Sequence, residues 1–477
     1  MAIKGCAAPS PQRVPSALSS DRNPLLVSQE KGKTAFSRII SNTSIIVLGR
    51  VLNAVCSFIY IPWTVQTIGL TGFGQLLLIT SYLMLVSDIT HLHSWQPLLH
   101  FGTSSYKEKN HREFHQILGF CMRSDFISGL TGMIVGIGGV MLFSRTMGWP
   151  DTLRSMAELT ALTILVMNRG WPVGVMRMMS KFKVATTIEL AGTLTRTIGS
   201  FIGFELGKGL PYFLAVWGIT QLVLFVLYNT FGMYLVRKNI STSFPLRELF
   251  MPTVKIRGIW KLTLGTSFSE ILESFFKQIS TLLIGAWMGA AEAAIFRVAT
   301  QITNAIAKPA TMLIPAIYPE FIRFRNERDW QGFRQTMLRI MGTIALLSVV
   351  VLGVSLSFGS SILDYMLHHH SPNGGALISI LAVSALIDVA VVPLEPLLTV
   401  MGKVYSVLRA KIVTIILYMP VLLVLTHFMG IWGAALASVI ASAVMFLWCS
   451  IRAATVFAAV YASERPEPPP SEPHIPA

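Results

Sequence analysis

The sequence predicts an all-α polytopic membrane protein of about twelve transmembrane helices, arranged as two six-helix lobes around a central cavity. Of its 477 residues, 53% are hydrophobic and 13% are charged, whereas a soluble domain is about 25% charged. Apolar stretches of roughly 20 residues, the length of a membrane-spanning helix, recur along the chain. A long polar connection in the middle of the chain divides these stretches into two equal groups.

We number the apolar stretches as spans 1 to 12 in chain order. Their polar boundaries place them near 40–66, 73–98, 116–143, 156–176, 184–205, 210–235, 258–287, 291–318, 335–358, 374–400, 405–427 and 432–458. The two ends of the chain are rich in proline and serine and lack an apolar core. We therefore expect a disordered cytoplasmic tail (1–37), an N-terminal lobe (38–236), a cytoplasmic linker (237–257), a C-terminal lobe (258–460) and a proline-rich cytoplasmic tail (461–477).

Basic residues are concentrated in alternate connections, and this pattern predicts the orientation in the membrane. The connections after spans 2, 4, 6, 8 and 10 are basic, whereas the intervening ones offer Arg145, Arg154 and Lys208. Cytoplasmic loops carry the excess of Lys and Arg, so both termini are predicted to be cytoplasmic. The same pattern accounts for the net charge of +15, and no nucleic-acid partner is expected.

The two halves of the chain resemble each other at an offset of about 220 residues. Gly69 corresponds to Gly289, each in a very short turn between two helices, and the segment 110–116 corresponds to 329–335 after a basic loop. We interpret this as a duplicated six-helix unit, with parallel repeats related by an axis along the membrane normal. Chance matching between apolar helices is the alternative.

Charged side chains inside the predicted spans must face water or a partner, because a charge at the bilayer centre costs about 2.5 to 3.5 kcal/mol. Glu270, Glu273 and Lys277 of span 7 are spaced so that they share one helix face. At the repeat offset, Arg50 of span 1 corresponds to Glu270, and Asn53 corresponds to Glu273. We therefore expect a polar central cavity lined by spans 1 and 7.

Further candidates lie in spans 2 and 10. Asp88 is expected in the cavity wall, where it is a candidate ion-pair partner together with Glu270 and Glu273. Asp388 and Glu395 lie seven residues apart on one face of span 10 and can relay protons if transport is coupled to an ion. A buried pair with Lys403, or a polar cavity wall, is the alternative for these two carboxylates.

Other polar residues have plainer interpretations. Arg196 of span 5 either lines the cavity or pairs with Glu189, which lies about two turns away on the same helix. Arg297 lies near the outer end of span 8, where a long side chain reaches the membrane interface. The three histidines at 368–370 are expected in an exposed outer loop. No metal site is predicted.

Four segments carry a resemblance to a known family: 41–50 and 68–74 in the first half, and 285–296 and 310–320 in the second. They resemble the Wzx-type polysaccharide (O-antigen) flippases of the multidrug/oligosaccharidyl-lipid/polysaccharide exporter superfamily, over about residues 38 to 460. The resemblance implies translocation of an undecaprenyl-pyrophosphate-linked oligosaccharide, the repeat unit of an O-antigen, exopolysaccharide or capsule. It also implies movement from the cytoplasmic to the periplasmic leaflet of the bacterial inner membrane, by alternating access.

If the resemblance holds, Arg50, Lys277 and Arg196 are the candidates for a cationic substrate site, because guanidinium groups bind phosphate as bidentate donors. The expected partners are the lipid-linked oligosaccharide and membrane lipids, and the polysaccharide polymerase machinery is a further candidate. A cation-coupled multidrug exporter of the same superfamily is the alternative, which Glu270 and Glu273 keep open.

An enzyme is not expected. A membrane-embedded polymerase or ligase needs a sizeable outer loop with catalytic residues, and the predicted outer loops are short. The chain has no Gly-x-x-x-x-Gly-Lys-Ser/Thr loop for ATP, and no cofactor is expected.

Overall fold

The computed structural model describes residues 24–144, 149–239, 256, 258–311, 321–325, 327, 329–368 and 374–463. Within these ranges the regular secondary structure is helical. The helices are α1 (Pro24–Thr90), α2 (Trp95–Lys107), α3 (His111–Phe143), α4 (Asp151–Ala161), α5 (Ile164–Met167), α6 (Gly170–Met178), α7 (Phe182–Glu205), α8 (Leu210–Asn239), α9 (Ile259–Met288), α10 (Ala290–Thr311), α11 (Trp330–Leu367), α12 (Gly374–Val391), α13 (Leu394–Val400), α14 (Val404–Met429) and α15 (Ile431–Ser463).

Each predicted span coincides with a helix or with an interrupted helix. Among the described residues, seven helices are long and apolar enough to cross a membrane. The other spans coincide with helices that are broken, such as α4 to α6, or that carry several charges, such as α9. The predicted class, an all-α polytopic membrane protein, is confirmed.

Spans 2, 4 and 10 are interrupted, which the sequence analysis did not anticipate. In each of these spans, the helix after the last break begins within a few residues of a proline: Pro97 in the first turn of α2, Pro172 in that of α6, and Pro393 just before α13. Proline has no amide hydrogen to donate and suits the first turn of a helix, whereas in the interior it removes a hydrogen bond and kinks or breaks the helix. These prolines were the available signal for the breaks.

The first helix also begins earlier than expected. We predicted a disordered tail through residue 37, but α1 starts at Pro24. Proline suits the first position of a helix, because its fixed φ is helical and its missing amide would have no partner there. Residues 1–23 and 464–477, which hold most of the two predicted tails, lie outside the described residues, as does most of the predicted linker.

The two halves use the same local geometry at corresponding positions. Gly69 (φ 73°, ψ 169°) separates two helical spans within α1, and Gly289 (φ 97°, ψ 172°) separates α9 from α10. Asn110 caps α3 with φ −81° and ψ 78°, and Asp329 caps α11 with φ −82° and ψ 77°. Each cap side chain accepts a hydrogen bond from the amide three residues later. These equivalences support the duplicated unit that the sequence suggested.

The lobes share an apolar cluster at one end of the bundle and meet at the other end through the first half of α9. We call the end that holds Gly69 and Gly289 the glycine end, and the opposite end, which holds Lys107, Lys181 and Lys403, the basic end. At the glycine end a single apolar cluster joins both lobes, with members that include Ile61, Phe73, Ile284, Phe296 and Leu363. At the basic end each lobe has its own cluster, and α9 contributes Ile259 to the N-terminal one. The two-lobe arrangement predicted from the sequence is confirmed.

Candidate functional site

Among the described residues, three cavities lie where candidate functional side chains converge. Two are at the basic end, one inside each lobe, and we call them the N-lobe pocket and the C-lobe pocket. The third lies between the lobes, nearer the glycine end, and we call it the arginine pocket after two of its residues.

The N-lobe pocket has a volume of ≈ 480 Å³. Its polar lining is Asn53, Arg177, Lys181, Glu189 and Tyr228. The Arg177 guanidinium lies 4.0 Å from the centre of the Trp95 ring, and helix α7 starts directly after Lys181. The positive end of the α7 dipole therefore adds to the two cationic side chains at this pocket.

Glu189 is the acidic residue of the N-lobe pocket, and its carboxylate accepts a hydrogen bond within the lobe. The Tyr228 hydroxyl donates a hydrogen bond of 2.8 Å to Glu189 Oε1, and Arg169 is an electrostatic neighbour of Glu189. The alternative pairing of Glu189 with Arg196 is therefore wrong. Two cations, Arg177 and Lys181, against one carboxylate leave the pocket with an excess of positive charge.

The C-lobe pocket is smaller, ≈ 270 Å³, and mainly acidic. Its ionisable lining is Glu273 of α9, Asp388 of α12, Glu395 of α13 and Lys411 of α14. Lys411 Nζ lies 3.5 Å from Glu395 Oε1, so Lys411 is the ion-pair partner and the suggested partner Lys403 is not. Asp388 and Glu395 do face one cavity, as their spacing suggested.

The arginine pocket, ≈ 110 Å³, lies between α1, α7, α8 and α10. Arg196 and Arg297 both line it, and among its described lining residues there is no Asp or Glu. Arg196 Nη1 donates a hydrogen bond of 3.4 Å to the Tyr60 hydroxyl, and Arg297 Nη1 donates one of 3.4 Å to the backbone carbonyl of Lys277. Neither bond neutralises a guanidinium.

The charged row of α9 lies between the C-lobe pocket, which Glu273 lines, and Asp88 of the other lobe. Lys277 Nζ lies 2.6 Å from Glu273 Oε1, and both side chains are about half exposed. The Ser274 hydroxyl donates a hydrogen bond to Asp88 of α1, which interacts electrostatically with Glu273 and Lys277. Glu270 lies one turn away and interacts electrostatically with the same two residues.

The predicted site residues do not form one cluster. Asn53 lines the N-lobe pocket, Arg196 the arginine pocket, and Glu273 the C-lobe pocket. The Lys277 ammonium is paired with Glu273. The side chain of Arg50 lies outside the described residues, so its predicted role stays a prediction.

Arg297 differs from its sequence-based expectation, which placed it at the membrane interface. That interpretation is wrong, because Arg297 lines the arginine pocket with Gln301, four residues along α10. Two polar residues at this spacing share a helix face, and this was the available signal. The histidine segment 368–370 is described at His368 alone, which contacts Gln66 of the other lobe. Among the described residues, no group of His, Cys, Asp or Glu is placed to hold a metal ion.

The chain is similar to an inner membrane protein, YghQ, of Escherichia coli strain K12. The two are 27% identical over 338 residues, which cover 69% of this chain and 95% of the relative.

The fold is similar to those of solved transporters. An inward-facing multidrug resistance MATE family transporter of the MOP superfamily aligns with a TM-score of 0.71 and 14% identity, over 87% of this chain and 96% of that chain. An outward-facing transporter of the same description aligns with a TM-score of 0.59 at the same identity and coverage. A MOP superfamily transporter from Pyrococcus furiosus, whose description reports reverse polarity of the binding pocket, aligns with a TM-score of 0.57 and 15% identity, over 89% and 96% of the two chains.

The family described as "Polysaccharide biosynthesis protein" matches residues 39–325. This match covers more than half of the chain, including nearly the whole N-terminal lobe and the α10 helix that completes the arginine pocket. The chain therefore belongs to the polysaccharide biosynthesis protein family.

Proposed function

We propose that the protein is a flippase of the bacterial inner membrane. It carries an undecaprenyl-pyrophosphate-linked oligosaccharide from the cytoplasmic to the periplasmic leaflet, with both termini and the basic end in the cytoplasm. The observation that carries this proposal is the arginine pocket, where Arg196 and Arg297 line one cavity between the lobes without a carboxylate among its described lining residues. Membership of a polysaccharide biosynthesis family supports the sugar cargo.

The electrostatics of the arginine pocket suit a pyrophosphate. A cation about 4 Å from a phosphate charge contributes roughly 4 kcal/mol at an effective dielectric constant near 20. Two guanidinium groups can each offer paired donors to phosphate oxygens. The pocket is too small for an oligosaccharide, so the sugar extends into the space between the lobes and the polyprenyl tail stays in lipid.

Alternating access is the proposed mechanism, and the packing of the lobes supports it. The apolar cluster closes the glycine end, and the lobes are separately packed at the basic end. The higher TM-score with the inward-facing transporter agrees with this arrangement. The N-lobe pocket, with Arg177 and Lys181, is then the first cationic site that a pyrophosphate meets from the cytoplasm. The arginine pocket is the second.

A cation-coupled multidrug exporter is the second candidate, and the C-lobe pocket favours it. Glu273, Asp388 and Glu395 supply three carboxylates. Lys277 pairs with Glu273 and Lys411 with Glu395, which leaves Asp388 as the acidic group without an ion pair among the described lining residues. Such a cavity suits a cationic compound or a coupling proton. In a flippase the same carboxylates are available for the coupling role suggested by the sequence.

The experiment tests both candidates with paired arginine variants in a strain whose surface polysaccharide depends on this protein. Arg196→Gln and Arg297→Gln together are expected to reduce surface polysaccharide by at least about tenfold, the equivalent of 1.4 kcal/mol, and to cause lipid-linked oligosaccharide to accumulate. The control is Arg154→Gln, because Arg154 pairs with Glu158 on α4, away from the pocket. Normal polysaccharide at equal protein levels would contradict the cationic site. Unchanged polysaccharide after deletion of the gene, with lost drug resistance, would favour the exporter.

A further inference from the structure

The second span is interrupted at residues 91–94, between α1 and α2. The helix from Leu70 to Thr90 rises about 1.5 Å per residue and is long enough to cross an apolar layer of about 30 Å. The interruption therefore lies at the membrane boundary of the basic end. In the proposed orientation this boundary faces the cytoplasm, so water and protons reach it from that side.

Backbone groups of the interruption are held by serines of both lobes. The Leu92 amide donates to Ser128 Oγ of α3 at 3.1 Å. The His93 amide donates to Ser267 Oγ of α9 at 2.9 Å. The second bond crosses between the lobes, so the interruption is a point of contact between span 2 and the first half of α9.

A buried carboxylate supports the interruption from within the N-terminal lobe. Asp125 of α3 accepts hydrogen bonds from the Ser94 hydroxyl at 2.5 Å and from the Trp171 amide at 2.8 Å. His91 Nε2 lies 3.5 Å from Asp125 Oδ1, and the two side chains are 13% and 6% exposed. The carboxylate therefore has an imidazole beside it that is close enough to form an ion pair once protonated.

Two histidine rings meet at this point. The rings of His91 and His93 are 4.6 Å apart. His91 Nε2 and His93 Nδ1 are buried without a hydrogen-bond partner among the described residues. Two imidazolium ions this close repel each other, so the pair accommodates one added proton rather than two.

The charged groups that face the pair come from three helices. Asp125 belongs to α3, and Asp88 of α1 lies one turn before His91 and interacts with it electrostatically. From α9, Ser274 donates a hydrogen bond to Asp88, and Glu273 and Lys277 are electrostatic neighbours of Asp88. The histidines therefore lie between the carboxylates of Asp125 and Asp88. Asp88 accepts its hydrogen bond from Ser274 of the other lobe.

We propose that His91 and His93 form a binding site for one proton and that its occupancy controls the contact between span 2 and α9. When the contact is made, α9 supplies the Ser274 hydroxyl to Asp88 and helps to cover the two histidines, which are 13% and 9% exposed; the charges of Lys277 and Glu273 offset each other. When the contact breaks, Asp88 loses the hydroxyl and water reaches the imidazole rings, which favours their charged form. The separated arrangement therefore binds the proton more tightly. Because binding and conformation are linked, acidification favours separation of span 2 from α9.

The inference does not depend on which substrate the protein carries, and a distance measurement tests it. Spin labels are placed at the exposed positions Ser104→Cys on α2 and Lys261→Cys on α9, with the four native cysteines replaced by serine. The protein in nanodiscs is measured by double electron–electron resonance from about pH 5 to about pH 8, the range in which histidine titrates. We expect the population ratio of long to short distances to rise as pH falls, by at most about tenfold per pH unit for one proton.

Matched variants decide the outcome. His91→Gln is expected to abolish the pH dependence, whereas His111→Gln, which removes an exposed histidine at the start of α3, is expected to retain it. Ser274→Ala is expected to raise the long-distance population at about pH 8 and to reduce the dependence of that population on pH. If His91→Gln fails to fold, the Ser274→Ala variant tests the proposal. A parent protein without pH dependence, a His91→Gln profile like that of the parent, or an unchanged Ser274→Ala profile would each overturn the proposal.

Discussion

Gly74 lies at the interface between the lobes at the glycine end, and its replacement by alanine should destabilise that interface. A Cβ built on Gly74 would overlap the backbone carbonyl of Ala290, the first residue of α10. The neighbour is main chain, so a change of side-chain rotamer cannot relieve the overlap. In the proposed alternating-access cycle the lobes separate there, so we expect the strain only while the glycine end is closed.

Overpacking of this kind costs about 1 to 3 kcal/mol. If the cost falls on the closed arrangement alone, the ratio of open to closed protein rises by about 5-fold to about 150-fold. The matched control is Gly138→Ala on α3, since a Cβ on Gly138 meets no atom within 4 Å. The control is expected to leave the ratio unchanged.

Chemical labelling of a buried reporter measures the ratio. Thr64 is 2% exposed behind the apolar cluster, and Thr64→Cys in a background without the native cysteines gives a single reactive thiol. A membrane-impermeant maleimide is added from the periplasmic side. We expect Thr64→Cys to be labelled about 5-fold to about 150-fold faster in the Gly74→Ala variant than in the parent. The Gly138→Ala variant is expected to be labelled at the rate of the parent. Equal labelling rates at equal protein amounts would refute the reasoning.

Three further predictions concern stability. Gly69→Ala should lower the free energy of unfolding by about 1 to 3 kcal/mol, because the backbone conformation of Gly69 is essentially restricted to glycine. Denaturant unfolding in mixed micelles measures this free energy, and an unchanged midpoint would contradict the prediction. Asp125→Asn should cost about 2 kcal/mol in the same assay, since hydrogen bonds to a charged group contribute about 1.5 to 3 kcal/mol and the Trp171 amide loses its charged acceptor. Ser384 and Ser442 form a buried hydrogen bond of 2.9 Å between α12 and α15, so a double-mutant cycle with alanine should give a coupling of about 0.6 kcal/mol, and a coupling of zero would count against the bond.

The sequence was sufficient to predict those features that depend on spacing along one helix. The shared face of Glu270, Glu273 and Lys277 follows from helical periodicity. Asp388 and Glu395 also line one cavity, as their spacing suggested, although the helix breaks between them, from α12 to α13. The turn glycines Gly69 and Gly289 were also recognisable from their positions between apolar stretches.

Features that depend on packing between distant helices were not predictable. The arginine pocket brings together Arg196 of α7, Arg297 of α10 and Tyr60 of α1. Nothing in the local sequence of any one helix specifies these neighbours. Glu395 pairs with Lys411 and not with Lys403. This choice likewise depends on the position of α14 beside α13.

Translocation of a lipid-linked oligosaccharide is tested most directly with the purified protein in liposomes. A fluorescent undecaprenyl-pyrophosphate-linked oligosaccharide is placed in one leaflet, and the fraction that reaches the other leaflet is measured with a membrane-impermeant quencher. We expect the wild-type protein to transfer it, and the double variant Arg196→Gln and Arg297→Gln to transfer it at least about tenfold more slowly. Transfer by wild-type protein no faster than in protein-free liposomes would contradict the proposed function, and equal transfer by the double variant would contradict the arginine pocket as its site.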